Sequence, residues 1–491
     1  MQKHGVLLPV FSLPGRRSVG TLGKGAYEFI DFLKEAGQDF WQILPLCPAD
    51  PEGSPYRSDS AFACDPAFID PYILAEEGLL KESEIPPCGR FKRVRRNEKE
   101  QNALLKRAFE RFEQAPAFDF EEFVRTESYW LDDYALFVSL KQSEGSEDFT
   151  AWKKEYAFRD GKALSIYAEE HKRDIDFVKF VQYEFGKQWA ALRAYAAKKG
   201  IKIIGDMPMY VAPSSADVWG VPEIFSLDES LAPKLVAGVP PDAFTADGQL
   251  WGNPVYDWEK LKASGYKWWL DRFRRASELC DVVRLDHFRG FESFYAVKAG
   301  APNARVGEWI KGGGAEFFDV VNRRFPELEI IAEDLGVITD DVRELIARTG
   351  YPNMKVLQFG LDGDEKNEHN PVNYGENCVA YTGTHDNDTC KGWYASLFSW
   401  QKRAARKGTG KRLFESISAA MIRTLYESRA KCVIVPIQDF LGEGHAARVN
   451  TPGTVGAYNW SYRLGAAPSG NIAKKMRSMA EKAAQKRGKS E

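Results

Sequence analysis

Hydrophobic and polar positions along this chain follow two alternating rules. Short runs that are apolar at almost every position occupy residues 5–13, 39–46, 201–211, 280–289, 329–336, 354–360, 378–386 and 431–440. Runs of this length without polar alternation read as strands covered on both faces. Between them the period lengthens. Phe177, Val181, Phe185, Trp189 and Leu192 recur at three- and four-residue spacing, which predicts an amphipathic helix ended by Gly200 and followed at once by the run at Ile201. Strand then helix, repeated around eight runs, predicts an α/β fold of the (β/α)8 TIM-barrel type with helical insertions between barrel strands.

Such a barrel needs about 250 residues, and the chain has 491. Residues 1–65 and 171–463 are therefore expected to form the barrel with its loop insertions. Residues 66–170, rich in Glu, Lys, Phe and Leu at helical spacing, are expected to form a mainly helical insertion subdomain. Residues 464–491 make a basic tail with Lys474, Lys475, Arg477, Lys482, Lys486 and Arg487, read as a solvated terminal helix. The first thirteen residues contain a short apolar run, but Pro9 interrupts it and no small-residue cleavage site follows, so they read as a strand.

Charge narrows the ligand. The 67 basic and 70 acidic residues are interspersed and leave a net charge of −3, so no field of one sign favours nucleic acid or an anionic membrane. No apolar run approaches the roughly 20 residues that span a bilayer. Seven scattered cysteines, at 47, 64, 88, 280, 378, 390 and 432, lack the close spacing of a zinc or redox motif and read as reduced core residues of a cytoplasmic protein. Six histidines without a closely spaced pair make a metal site unexpected. No phosphate-binding loop or nucleotide fingerprint is present, and no cofactor is expected. Gly312-Gly313-Gly314 reads as a flexible connection.

Several strands end in charge. In Val282-Val283-Arg284-Leu285-Asp286, Arg284 and Asp286 lie two apart and share a face at the C-terminal end of a strand, where barrel enzymes hold their chemistry. Two other strands end in Glu333 and in His385-Asp386. Singly, an acid after a strand is usually a helix cap or an ion pair. Together, Asp286, Glu333 and Asp386 supply what retaining glycosidases need, a nucleophile and an acid/base, with a third carboxylate for the sugar hydroxyls. Arg284 beside Asp286 favours an ionised nucleophile. Glu333, facing two carboxylates, is expected to hold its proton at higher pH than usual. His385 is expected to donate to a sugar hydroxyl as a neutral imidazole, whereas His287 points away by alternation and reads as structural.

At these residues the chain resembles the 4-α-glucanotransferases, the amylomaltases or disproportionating enzymes of the α-amylase superfamily. The resemblance covers almost the whole chain. It rests on Gly5-Val-Leu-Leu-Pro9, Trp41-Gln-Ile-Leu-Pro-Leu46, Ser54-Pro55-Tyr56, Gly205-Asp-Met-Pro208, Gly238-Val-Pro-Pro-Asp242, Gln249-Leu-Trp-Gly-Asn-Pro254, Arg284-Leu-Asp-His-Phe-Arg289, Ala332-Glu-Asp-Leu-Gly336, Met354-Lys-Val-Leu-Gln-Phe359 and Tyr381-Thr-Gly-Thr-His-Asp-Asn-Asp-Thr389. It implies Asp286 as nucleophile, Glu333 as general acid/base and Asp386 as transition-state stabiliser, with Arg284, His385, Asp206 and Tyr56 around the reacting sugar. Trp251 and Asn253 resemble a long loop on the acceptor side, spanning about 218–258 with Phe244 and Tyr256, whose indole stacks on a pyranose.

The implied activity is transfer of α-1,4-glucan segments between maltooligosaccharides, with an amylase-like hydrolase and a catalytically inert glucan-binding protein as the competing readings. The sequence departs from the family at Arg57, where Gln is usual, at Cys64-Asp65, where Gly-Asn is common, at Asn353 in place of glycine and at Val372 in place of His. None of these removes a catalytic carboxylate; they bear on which chain lengths are preferred.

Overall fold

All eight apolar runs become parallel strands that close on themselves. The protein, a computed structural model, is described over residues 2–87, 89, 93–241 and 245–487. Its strands are β1 (Lys3–Leu7), β2 (Phe40–Gln42), β3 (Lys202–Met207), β4 (Leu235–Val239), β5 (Gln249–Pro254), β6 (Val282–Leu285), β7 (Ser293–Lys298), β8 (Glu308–Lys311), β9 (Glu329–Ala332), β10 (Asn353–Val356), β11 (Cys378–Tyr381) and β12 (Cys432–Pro436). The closed barrel runs β1-β12-β11-β10-β9-β6-β3-β2. Prolines bound two of the strands: Pro208 follows β3 and Pro436 terminates β12, and neither has an N–H to continue a ladder. After β1 the chain turns into a short 3-10 segment, Val10–Ser12.

The barrel interior is filled in layers. Leu7, Ile204, Val282, Ile331, Met354, Val356, Val379 and Ile434 form one buried cluster along the axis. Two residues beyond Ile204, Val282 and Ile331, on the same faces, stand Asp206, Arg284 and Glu333. The two-residue period of the strand thus sets a charged layer directly on an apolar one. Register holds it there, with Asp206 opposite Arg284 across β3 and β6 and Arg284 opposite Ile331 across β6 and β9.

Between β2 and β3 lie the helices Glu98–Phe112, Phe120–Glu144, Gly161–Glu170 and Lys172–Lys199. The last carries the sequence stripe, buried at Val181, Phe185, Trp189 and Leu192, and stops at Gly200 with φ of 74°. From the same helix, Gln182 pairs through its amide with both backbone groups of Cys64, at 2.8 and 2.9 Å. Gln188 does the same for Asp70, at 2.7 and 3.2 Å. These two buried amides stand in for a neighbouring strand and fix the segment that follows Tyr56. The terminal helix Gly470–Arg487 is only half solvated: Ala473, Met476 and Ala483 are buried where it packs on Lys24–Glu35 and Ile417–Tyr426. No helix among the described residues is long and apolar enough to cross a membrane.

The structure corrects two expectations. The stretch 218–258, read as a long loop, contains β4 and β5. They join β7 and β8 in a four-stranded antiparallel sheet of order β5-β4-β7-β8. Two strands of this sheet precede β6 and two follow it. Asp242 and Phe244, singled out from the sequence, lie outside the described residues, as does Cys88. Nor is the triple glycine a flexible connection. Gly312 donates its N–H to Glu292 at 2.8 Å, and a Cβ there would collide with the carbonyl oxygens of Phe291 and Gly290. A Cβ on Gly313 would strike the Trp258 ring. These glycines are present because the backbone passes too close to its neighbours for any side chain. Gly312→Ala should therefore destabilise the protein by about 1–3 kcal/mol, measured by urea unfolding; an unchanged midpoint would show that the backbone has room to yield.

Candidate active site

Arg284 is the hub of the charged layer. It is 4% exposed, and its Nη1 lies 2.6 Å from Asp206 Oδ1 and 2.8 Å from Asp286 Oδ1. Burial works against the guanidinium charge, but Asp206, Asp286 and Glu333 together hold it protonated well above its ordinary range. Asp206 has no side-chain exposure and burial pushes its pKa up, opposed by Arg284.

The network continues outward. The Tyr56 hydroxyl donates to Asp206 Oδ2 at 2.7 Å and lies 3.0 Å from His385 Nε2. A tyrosine hydroxyl has one proton, and the Asp206 carboxylate only accepts, so His385 must donate from Nε2. The Nε2 donor is then directed at Tyr56. The two rings stack at 5.3 Å and 11°, with Trp460 beside both at 5.7 and 6.0 Å. His385 Nε2 also approaches Asp386 Oδ1 at 3.4 Å. Asp286, Arg284, Asp206, Tyr56, His385 and Asp386 thus form one continuous chain of contacts from the ends of β6, β3 and β11 and the loop after β2.

Glu333, just past β9, is held differently. Its Oε2 accepts the His287 backbone N–H at 2.8 Å and its Oε1 the Leu335 N–H at 2.7 Å. It is 8% exposed. Burial first, and the Asp286 charge second, raise its pKa to about 8 against the pull of Arg284 and the two N–H groups. The expectation of a raised pKa had named neighbouring carboxylates as the cause; desolvation is the larger one. His287 adopts a left-handed conformation, φ 50°, uncommon for a residue with a side chain, and this aims its N–H at Glu333. Its imidazole, lowered by burial to about 4, is neutral and packs against Tyr210 and edge-on to Trp251, at 6.0 and 4.9 Å.

Trp251 and Asn253 lie on β5. The Trp251 indole N–H donates to Gln249 at 3.2 Å, and the Asn253 amide donates to the Val211 carbonyl at 2.7 Å, tying β5 to the segment after β3. Tyr256, expected to face a sugar, is 3% exposed and donates to the Met209 carbonyl; it belongs to the core.

Sequence reading missed what fixes Asp386. Asn450 Nδ2 donates to its Oδ1 at 2.7 Å and Arg448 Nη2 to its backbone oxygen at 2.5 Å. Both come from the segment after β12, as does Trp460. The available signal was positional, since in a barrel every strand sends a loop to the same rim. Among the described residues no group of His, Cys, Asp and Glu is arranged to hold a metal ion. A separate groove of about 750 Å³ opens beside the Tyr56 loop, lined by Arg57, Asp50, Glu52, Arg96 and Gln101. It does not include the three carboxylates.

The family model for 4-alpha-glucanotransferase matches residues 8–467. The chain belongs to the 4-alpha-glucanotransferase family. It is 44% identical over 463 residues to the 4-alpha-glucanotransferase of Clostridium butyricum, covering 92% of this chain and 94% of that one. It is 44% identical over 470 residues to that of Synechocystis sp., covering 94% and 93%. Among solved structures it is similar to amylomaltase from Streptococcus agalactiae in complex with acarbose, with a TM-score of 0.94, 36% identity and 98% of each chain covered. Of the positions where this family member departs from the common pattern, Asn353 donates to Asp334 at 3.0 Å and links β10 to β9. Val372 is 77% exposed.

The shifted Glu333 has a consequence for stability. Between its ordinary value of 4.5 and about 8 the folded protein keeps a proton that the unfolded chain releases. The group's contribution is complete below the lower value and is lost as pH rises through the upper one. Glu333→Gln carries no such group. Its stability relative to the wild type should rise from about pH 5 to about pH 8.5, read by urea denaturation at both; a pH-independent difference would refute the shift.

Proposed function

We propose that this protein is a retaining 4-α-glucanotransferase that moves α-1,4-glucan segments from a donor maltooligosaccharide to the 4-hydroxyl of an acceptor glucan or glucose. The observation that carries the reading is the pairing, within a member of this family, of a salt-bridged Asp286 just past β6 with a buried, proton-holding Glu333 just past the adjacent β9. One carboxylate is poised as nucleophile and the other as acid.

In the first half-reaction Asp286 attacks the anomeric carbon of the donor. The C1–O4 bond breaks, and Glu333 passes its proton to the departing O4. The product is a β-glycosyl ester on Asp286 and a shortened sugar. In the second, Glu333, now a base, takes the proton of the acceptor 4-hydroxyl, whose oxygen attacks C1 and expels Asp286. Two inversions give net retention. Arg284 orients the nucleophile and anchors Asp206, while Asp386, beside His385 and Tyr56, meets the sugar hydroxyls and stabilises the oxocarbenium-like transition state. Trp251 and Asn253, on the sheet beside the rim, serve the acceptor side.

Transfer and hydrolysis share the glycosyl-enzyme and part only at whether a sugar or water receives it. The relative from Streptococcus agalactiae was solved with acarbose, which supports an oligosaccharide in this cleft. The six described cysteines are free, which supports the cytoplasm as the compartment, and the role is in carbohydrate metabolism, with no cofactor.

Incubated with maltotriose alone, the enzyme should yield glucose and a ladder of longer maltooligosaccharides at a nearly constant number of reducing ends. Chromatography with a reducing-end assay checks this, and shorter sugars accompanied by a steady rise in reducing ends would make it a hydrolase. Asp286→Asn should fold normally by circular dichroism yet lose more than about a hundredfold in kcat, about 3 kcal/mol of barrier, because an amide cannot form the glycosyl ester. Milder loss would remove Asp286 from the nucleophile's role.

A further inference from the structure

The loop that carries His385 and Asp386 leaves β11 at Thr382 and enters the helix Cys390–Ser396. Both of its ends converge on one carboxylate. Asp439, in the helix Ile437–Leu441 after β12, is 2% exposed. Its Oδ2 accepts the Thr382 hydroxyl at 2.7 Å and the Cys390 thiol at 3.1 Å, and its Oδ1 accepts the Cys390 backbone N–H at 2.7 Å. Thr382 and Cys390 are themselves fully buried.

A carboxylate is suited to this point because three donors converge there, and only an acceptor with two oxygens satisfies them all. It is an expensive choice for mere packing. Burial and the like charge of Asp388 both push Asp439 toward its neutral form, opposed only by the three donors. An apolar pair of similar volume would hold two elements together at less cost. What it would lack is direction. Short hydrogen bonds to a carboxylate fix angle as well as distance, and the group mounted on this loop needs both. The Asp386 side chain is 43% exposed, so surrounding packing does not set its position. Asn450 and Arg448 restrain the loop at its tip, from the same segment of chain that restrains its base through Asp439.

We infer that Asp439 is a positioning residue for the reaction: by gripping both ends of the 382–390 loop it sets where Asp386 presents its carboxylate to the sugar. This rests on the transferase reading given above.

The test is a double-mutant cycle. Asp439→Ala should lower kcat for maltotriose disproportionation by at least about 30-fold while KM stays within about threefold, and Thr382→Val should move kcat in the same direction by less. In an Asp386→Ala background, with α-maltosyl fluoride as donor to make slow turnover measurable, Asp439→Ala should add less than about a threefold loss, because the loop no longer carries the group being positioned. Thermal unfolding of each variant checks the fold. Should Asp439→Ala fail to fold, Thr382→Val and Cys390→Ala complete the same cycle. Equal losses in both backgrounds, or a raised KM at unchanged kcat, would overturn the inference. A wild type that only hydrolyses maltotriose would sink the transferase reading, whereas a disproportionating wild type with an undiminished Asp439→Ala would sink this inference alone.

Discussion

One guanidinium holds the mouth of this barrel together. Arg284 stands almost wholly out of water between Asp206 and Asp286, and neither Arg284 nor the fully buried Asp206 would be tolerable there without the other: a lone buried charge is unpaired and costly, whereas a paired one is kept by its partner. The arrangement is possible because β3 and β6 are locked in a register that sets Asp206 opposite Arg284. A slip by one residue would turn one of them out of the barrel. Closure of eight strands removes the freedom to slip, so the electrostatics of the rim depend on hydrogen bonds several residues below it.

The same mouth holds two carboxylates in unlike surroundings. Asp286 has a cation 2.8 Å away and a side chain 27% exposed. Glu333 has only backbone N–H groups on its oxygens and is nearly dry. Two groups of one chemical type are thereby given different surroundings by position alone, and in the proposed mechanism that difference divides the nucleophile's role from the acid's.

How much of this was visible in the primary structure depends on how local its cause is. Barrel strands were legible because burial on both faces makes them uniformly apolar, and the acids at their ends stood out against that background. Trp189 and its companions were legible for the same reason at the helical period. The β5-β4-β7-β8 sheet was not: Gln249–Pro254 contains Gly252 and Asn253, is half exposed, and shows neither a run nor an alternation. Its ladder partner is β4, and β4 pairs in turn with β7, more than fifty residues further along the sequence. The glycines at 312 and 313 looked like slack because close approach leaves no trace except a missing side chain. Asn450 and Trp460 came from a loop with no periodicity, and only the contact itself reveals them. The cause of the Glu333 shift was misjudged because neighbours can be counted in a sequence but depth cannot.

The four-stranded sheet is sewn into the chain on both sides of β6, with β4 and β5 before it and β7 and β8 after it. The chain therefore leaves the sheet at Pro254, builds the barrel strand that carries Arg284, and re-enters the sheet at Ser293, so the β4–β7 ladder closes a loop of chain that contains β6. Sheet and barrel are covalently interleaved, and neither could be lifted out of the sequence as a separate unit.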